Sequence, residues 1–274
     1  MLEFLKAVLF GIVEGITEWL PVSSTGHMIL LDELVKLKVS SEFYSFFQVV
    51  IQLGAILAVI IIYFKDIFPW GFGKTAKDTK STLNLWGKII VATIPAAVLG
   101  LLLDDWLDEH LYNAIVVAIT LILYGIIFII IETRKKKKPV AQTMEEITYK
   151  QAFGVGMFQV LALIPGTSRS GSTIIGGLML GMSRKAISDF TFILAIPVMA
   201  GASFLKFVKY IAKVGFAFSS AEVMVLIVGC VVAFVVSYFV IKSLLSYIRK
   251  HNFVVFGYYR IVLGIVVLLY FGLR

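Results

Sequence analysis

The sequence predicts an all-α polytopic membrane protein with inverted-topology repeats, comprising about six full transmembrane helices plus two re-entrant helical hairpins. Three observations lead there. Of the 274 residues, 59% are hydrophobic and 15% charged, and the mean hydropathy is +0.96, far above the apolar character of a soluble domain. Six stretches stay apolar over about the 20 residues a helix needs to cross a bilayer. Two other regions are interrupted by a proline and a small polar cluster, LPVSSTGH in one and IPGTSRSG in the other, and look like copies.

Taken in order, residues 1–36 hold two short apolar stretches around Pro21. The second of them, beginning MILLDELV, is too short to span, which favours a hairpin whose tip stops inside the membrane over a single broken span. The start has neither a basic segment nor a small-residue cleavage site, so the first segment is expected to remain in the mature protein. Spans are predicted at 43–64, 86–103 and 112–131. The run TRKKKKP, Thr133–Pro139, then reads as a basic linker and topology anchor at the inner leaflet. A second hairpin at 149–181 and spans at 187–205, 223–241 and 254–271 complete the chain. The expected division is therefore 1–132 for the first repeat, 133–148 for the linker and 149–274 for the second repeat.

Setting Pro21 over Pro165 places PVSSTG over PGTSRS, and one residue of slippage brings Gly11 and Glu14 over Gly156 and Gln159. A hairpin returns to its own side and three spans do not, so the halves take opposite orientations. On this topology 15 Lys and Arg fall in the loops of one side and 7 on the other, which makes the first side cytoplasmic and puts both termini outside. The acidic stretch DDWLDEH, Asp104–His110, is expected to be a solvated outer turn. The net charge of +8 is explained by these orientation signals and gives no support to a nucleic-acid partner. The single cysteine, Cys230, lies in an apolar run and is read as packing; alone it excludes an intramolecular disulfide.

The chemistry is concentrated in the two interruptions. Glu14 and Glu18 are four apart and share a helix face. Ionisable groups are costly in hydrocarbon, about 2.5 kcal/mol or more each, so the pair needs a wet cavity or a partner. Two carboxylates also suit half of a Mg²⁺ site completed by a substrate phosphate. Ser23 or Ser24 can cap a new helix, leaving backbone N–H groups free for an anion. The second cluster repeats the device and adds Arg169, whose planar fork suits phosphate. Capping is an equally good account of Ser23, Ser170 and Ser172. Ser24 or Thr25 as nucleophile, with His27 or a glutamate as base, forms a plausible catalytic group, and Gly26 would let a substrate approach the backbone. Gln48 and Gln52 either line the same cavity or pack between helices. His110 and His251 fall in predicted loops.

EGITEWLPVSSTGH together with LIPGTSRSGSTI, at this separation and span pattern, resembles the bacterial undecaprenyl-diphosphate phosphatases, also called bacitracin-resistance proteins. The resemblance covers essentially the whole chain. It implies hydrolysis of undecaprenyl diphosphate, or other long-chain isoprenyl diphosphates, to the monophosphate and inorganic phosphate at the plasma membrane. It also implies a divalent cation, Mg²⁺ or Ca²⁺. Position by position, Glu14 and Glu18 match the family's glutamate pair, Ser23, Ser24, Thr25 and His27 its SSTGH block, and Ser168 and Arg169 its SRSG block. The expected roles are catalysis for Ser24, His27, Glu18 and Arg169, and substrate binding for Ser23, Thr25, Gly26, Ser168, Ser170 and Arg169. Metal binding falls to Glu14 and Glu18. A homodimer is a further expectation. Two other families share part of this pattern. Type-2 phosphatidic acid phosphatases have PSGH and SR elements but need a second histidine and an aspartate after the arginine, where this chain has SGSTII. A lipid-phosphate transporter or flippase shares inverted repeats with half-helices aimed at an anion.

Overall fold

The computed structural model describes residues 2–70, 74–134 and 138–272. Residues 135–137 of the basic run and Arg274 of the charge count lie outside these. Among the described residues there are eleven α-helices and no strand. They are α1 (Leu2–Thr17), α2 (Ser24–Leu34), α3 (Ser41–Ile62), α4 (Phe64–Ile67), α5 (Ala76–His110), α6 (Ala114–Thr133), α7 (Tyr149–Val160), α8 (Arg169–Met179), α9 (Arg184–Val214), α10 (Ser220–Ile248) and α11 (Val254–Gly272).

Six of them, α3, α5, α6, α9, α10 and α11, are long and apolar enough to cross a membrane, and each covers one predicted span. The other helices of the interrupted regions are too short: 11 residues of α2 or α8 rise only about 16 Å against a hydrocarbon core of about 30 Å. Large apolar side chains such as Ile61, Ile90, Leu102, Ile119, Val231 and Val262 stand exposed on the outer faces, as helices bathed in lipid require.

Several boundaries differ from expectation, for one reason, and α5 shows it most clearly. Hydropathy marks the apolar part of a helix, and the helix itself runs on. The span predicted at 86–103 is the middle of the 35-residue α5, which begins at a Thr75–Asp78 capping box. The stretch Asp104–His110, expected to be a solvated turn, is the helical end of α5. Its acids are paired: Lys209 Nζ lies 2.6 Å from both Asp104 and Asp105, and Lys206 Nζ 2.6 Å from Asp108. These pairs tie the end of α5 to α9.

The helix contacts follow one pattern. α1 packs on α10 and α7 on α5; α3 packs on α10 and α5 on α9; α3 meets α9, and α6 meets α11. Under the correspondence α1/α7, α2/α8, α3/α9, α5/α10 and α6/α11, each of these contacts maps onto another or onto itself. Glycines mark the closest approaches. A Cβ on Gly11 would meet the Gly229 carbonyl of α10, and one on Gly156 the Ala92 carbonyl of α5. Gly125 and Gly257 approach each other's carbonyls reciprocally across the α6–α11 contact, the small-residue packing expected where no water drives helices together.

Cys230 is a packing residue, as expected, half-buried with its Sγ 3.6 Å from the Val50 carbonyl. Its own backbone abuts Gly54 so closely that a Cβ there would overlap the carbonyl group. Gly54→Ala is therefore expected to force α3 from α10 and to destabilise the fold by about 1–3 kcal/mol. A lowered midpoint of thermal unfolding in detergent is the measurement; Gly201→Ala, whose Cβ meets nothing within 4 Å, is the control.

Candidate active site

The two interrupted regions meet inside the helix bundle. After α1 and after α7 the chain turns and re-enters helix at Ser24 and at Arg169. The residue before each new helix, Ser23 or Ser168, has φ 72°, a backbone state that costs a non-glycine residue about 1–3 kcal/mol. Each hydroxyl accepts from an N–H three residues on, Gly26 at 3.4 Å and Gly171 at 3.1 Å. The caps are thus Ser23 and Ser168, and not Ser170 or Ser172. They also correct the register between the copies: Gly11, Glu14, Ser23 and Gly26 correspond to Gly156, Gln159, Ser168 and Gly171 at one constant offset, and the prolines alone are displaced by one. A proline is placed by the turn's geometry, whereas the cap fixes where the helix starts.

One hydrogen-bonded chain joins the tips. Ser24 Oγ donates to Glu18 Oε2 at 2.7 Å, and Arg169 Nη2 donates to Glu18 Oε1 at 3.2 Å. The other arm of the guanidinium, Nη1, donates to the Thr191 carbonyl of α9 at 3.0 Å. The Trp19 ring lies 5.8 Å from the guanidinium carbon. Arg169 Nε is buried and has no partner. A cavity of about 360 Å³ opens over this chain, with Glu18, Ser23, Ser24, Thr25, Ser168 and Arg169 on its polar side. Its other wall runs along α5 from Thr93 to Asp104 and along α9 from Pro197 to Leu205, and is largely apolar. Both α2 and α8 start at this cavity, and the N–H groups of a first helical turn have no intrahelical acceptors.

Three expected site residues are turned away from the cavity, and a fourth, Glu14, lies behind its wall. His27 is turned away: its Nδ1 is 2.7 Å from the Ser23 carbonyl and its Nε2 2.7 Å from the Tyr259 hydroxyl of α11, so both ring nitrogens are engaged outside the cavity. Gly26 faces α6, where a Cβ would sit 3.1 Å from Leu121; its smallness serves packing and not substrate approach. Ser170 is fully buried, its hydroxyl within 3.2 Å of the Glu18 carbonyl and 3.3 Å of that of Leu20, so it braces one tip against the other. Glu14 sits behind Glu18, almost fully buried, with Oε1 lacking any partner. Of the two glutamines, Gln52 lines the cavity and Gln48 donates to Tyr44 Oη at 2.9 Å.

Sequence reasoning missed Arg260. It is fully buried in α11 and donates to Pro21, Gly166 and Thr167 carbonyls on the two turns. The available signal was a lone charge inside a predicted span, which marks a functional position by default.

A multi-spanning helical membrane protein that buries a serine, a carboxylate and a guanidinium in one hydrogen-bonded chain is built to handle an anionic group at membrane depth. The particular family follows from comparison. Residues 7–266 match the bacitracin resistance protein BacA family, and the chain belongs to it. It is 56% identical over 272 residues to the undecaprenyl-diphosphatase of Acetivibrio thermocellus, covering 99% of this chain and 98% of that one. It is 55% identical over 271 residues to the undecaprenyl-diphosphatase of Enterococcus faecalis, covering 98% and 97%. Against undecaprenyl-diphosphatase 1 of Clostridioides difficile it is 57% identical over 273 residues, covering 100% and 98%.

Proposed function

We propose that the chain is a multi-pass phosphatase of a bacterial plasma membrane that hydrolyses undecaprenyl diphosphate to undecaprenyl phosphate and inorganic phosphate. The activity recycles the lipid carrier of peptidoglycan synthesis and underlies bacitracin resistance. The observation that carries the site assignment is the chain Ser24–Glu18–Arg169, which puts a nucleophile, a base and a phosphate-binding cation in one cavity. The relatives' name supplies the reaction.

In the proposed mechanism Ser24 Oγ attacks the terminal phosphorus while Glu18 Oε2, already its acceptor, takes the hydroxyl proton. The Oγ–P bond forms as the bond from phosphorus to the bridging oxygen breaks, and undecaprenyl phosphate leaves. Water then hydrolyses the phosphoserine, releasing inorganic phosphate and returning the proton to Ser24. Arg169, with its unpartnered Nε–H, and the first-turn N–H groups of α2 and α8 stabilise the oxygens of the transferring group. The apolar α5–α9 wall accommodates the first isoprene units, which fits other long-chain isoprenyl diphosphates equally.

The orphaned Glu14 oxygen beside Glu18 fits a divalent cation, Mg²⁺ or Ca²⁺. Among the described residues no three His, Cys, Asp or Glu side chains cluster as a metal cage, so the proposed cation would depend on two carboxylates completed by the substrate's phosphates. Glu14 and Glu18 would hold it, and it would supply charge neutralisation of the diphosphate. The halves 1–132 and 149–274 are assigned as inverted repeats, supported by the matched helix contacts. With both termini outside, the cavity's Asp104 end opens to the outer face. A homodimer belongs to the same reading.

The test is phosphate release from undecaprenyl diphosphate by purified protein in detergent. EDTA is expected to lower the rate by about 10²-fold or more, with recovery on adding Mg²⁺ or Ca²⁺. Full activity in chelator would refute the cation assignment; no release under any condition would refute the phosphatase.

A further inference from the structure

We propose that Arg260 is a positioning residue for the reaction: one guanidinium fuses the two turn segments and so sets the distance between Ser24 on one and Arg169 on the other. The inference rests on the site assignment above and adds to it a residue outside the cavity.

The geometry is specific. Nη1 donates to the Pro21 carbonyl at 3.2 Å, and Nη2 to the Gly166 and Thr167 carbonyls, each at 2.9 Å. Pro21 belongs to the turn that leads into α2, and Gly166 and Thr167 to the turn that leads into α8. The Thr167 carbonyl is part of the peptide that joins Ser168, so the bond orients the residue that holds φ 72°. Tyr124 of α6 backs the guanidinium, its ring 5.6 Å from the central carbon. From the front, a Cβ on Gly171 would stand 3.2 Å from Nη1. The head group is thus fixed on several sides by α6, α8, α11 and both turns.

Buried turn carbonyls at membrane depth need donors from the protein. Several residue types could serve a single turn. Only arginine, with five N–H groups in a rigid fork, reaches acceptors on two separate turns at once. The neighbouring residue, Tyr259, adds to the grip by its bond to His27 on α2. One turn of α11 therefore holds the start of α2 and the approach to α8 together.

Charge gives a second reason for arginine. Arg169 is offset by Glu18 at 3.2 Å. Arg260 accepts no such compensation: among the described residues no carboxylate lies within ion-pair distance of it, and its acceptors are all neutral carbonyls. A buried cation without a counter-ion disfavours the resting protein and favours a bound anion. Arg260 therefore sets a second guanidinium, with Arg169, against the two buried carboxylates Glu14 and Glu18, in place before a diphosphate enters. Because Arg260 does not line the cavity, it acts through the turns and not by touching the substrate.

Purified Arg260→Gln, Arg260→Lys and Ser24→Ala should be assayed on undecaprenyl diphosphate, with rates expressed per folded molecule. For Arg260→Gln the expected result is a kcat about 10²-fold lower with KM within about threefold, since misplaced reacting groups slow the chemical step more than they weaken binding. Arg260→Lys keeps the charge and one arm and should recover about tenfold of that loss. A role in stability alone would lower the yield of folded protein and leave kcat unchanged, and that result would overturn the inference. Should Arg260→Gln fail to fold, Arg260→Lys decides, because it keeps the charge and loses the fork that spans the two turns. A lowered kcat supports the clamp, and wild-type kcat in every folded variant refutes it. If Ser24→Ala stays active, the site assignment itself falls; if Ser24→Ala is dead and Arg260→Gln matches wild type, only the clamp falls.

Discussion

Ser24→Ala is expected to lower phosphate release by about 10⁴-fold or more while leaving the fold intact, because it removes the proposed attacking atom and little else. The Ser24 hydroxyl makes one hydrogen bond, to Glu18 at 2.7 Å, and a single bond of this kind contributes only about 1–3 kcal/mol to stability. Glu18 keeps its pairing to Arg169 in the variant, so no charge is left stranded. The comparison that gives the result its meaning is His27→Asn. His27 spends both nitrogens on Ser23 and Tyr259, so its replacement loosens the start of α2 without removing a reacting group. A loss for His27→Asn smaller by about tenfold or more is the expected outcome, measured as kcat on the same substrate. A His27→Asn variant without activity, with Ser24→Ala still partly active, would move the nucleophile to the imidazole.

The contrast between these two residues also shows what a sequence can and cannot convey about such a site. Glu18, Ser24 and Arg169 were legible because polar groups in an apolar chain must find one another or water, and their residue types leave few options. Neighbours on one helix are sorted by rotation, which a motif does not display. Gly26, two residues past Ser24, is turned by about 200° and meets α6. His27 is claimed by a tyrosine more than two hundred positions away. Ser170 follows Arg169 directly, yet is buried as a brace. The six spans were legible from hydropathy because the bilayer sets their length. The extent of α5 was not, since its ends are held by a capping box and by ion pairs to α9, neither of which hydropathy registers. Arg260 was visible only as an anomaly within a span; its partners are carbonyls, which carry no sequence signature at all.

Arg169→Lys is expected to lower kcat by about 10²–10³-fold although the charge is retained. The guanidinium reaches Glu18 with one arm and the Thr191 carbonyl with the other, and its Nε–H is buried without a partner. An ammonium is a point charge on a flexible stem and cannot hold both neighbours while facing the substrate. Arg169→Ala goes further, leaving the Glu18 carboxylate buried without its partner, and breaking a buried pair from one side costs about 3–5 kcal/mol. Low activity in Arg169→Ala could then reflect unfolding, and the pair Glu18→Gln/Arg169→Ala separates the causes. Neutralising the stranded carboxylate should restore much of the thermal midpoint lost in Arg169→Ala, so the two substitutions will not be additive in stability. Activity should not return, because the double variant lacks both the base for Ser24 and the cation for the phosphate. Recovery of activity together with stability would mean that Arg169 serves the fold alone, and the reaction would have to be assigned to other groups in the cavity.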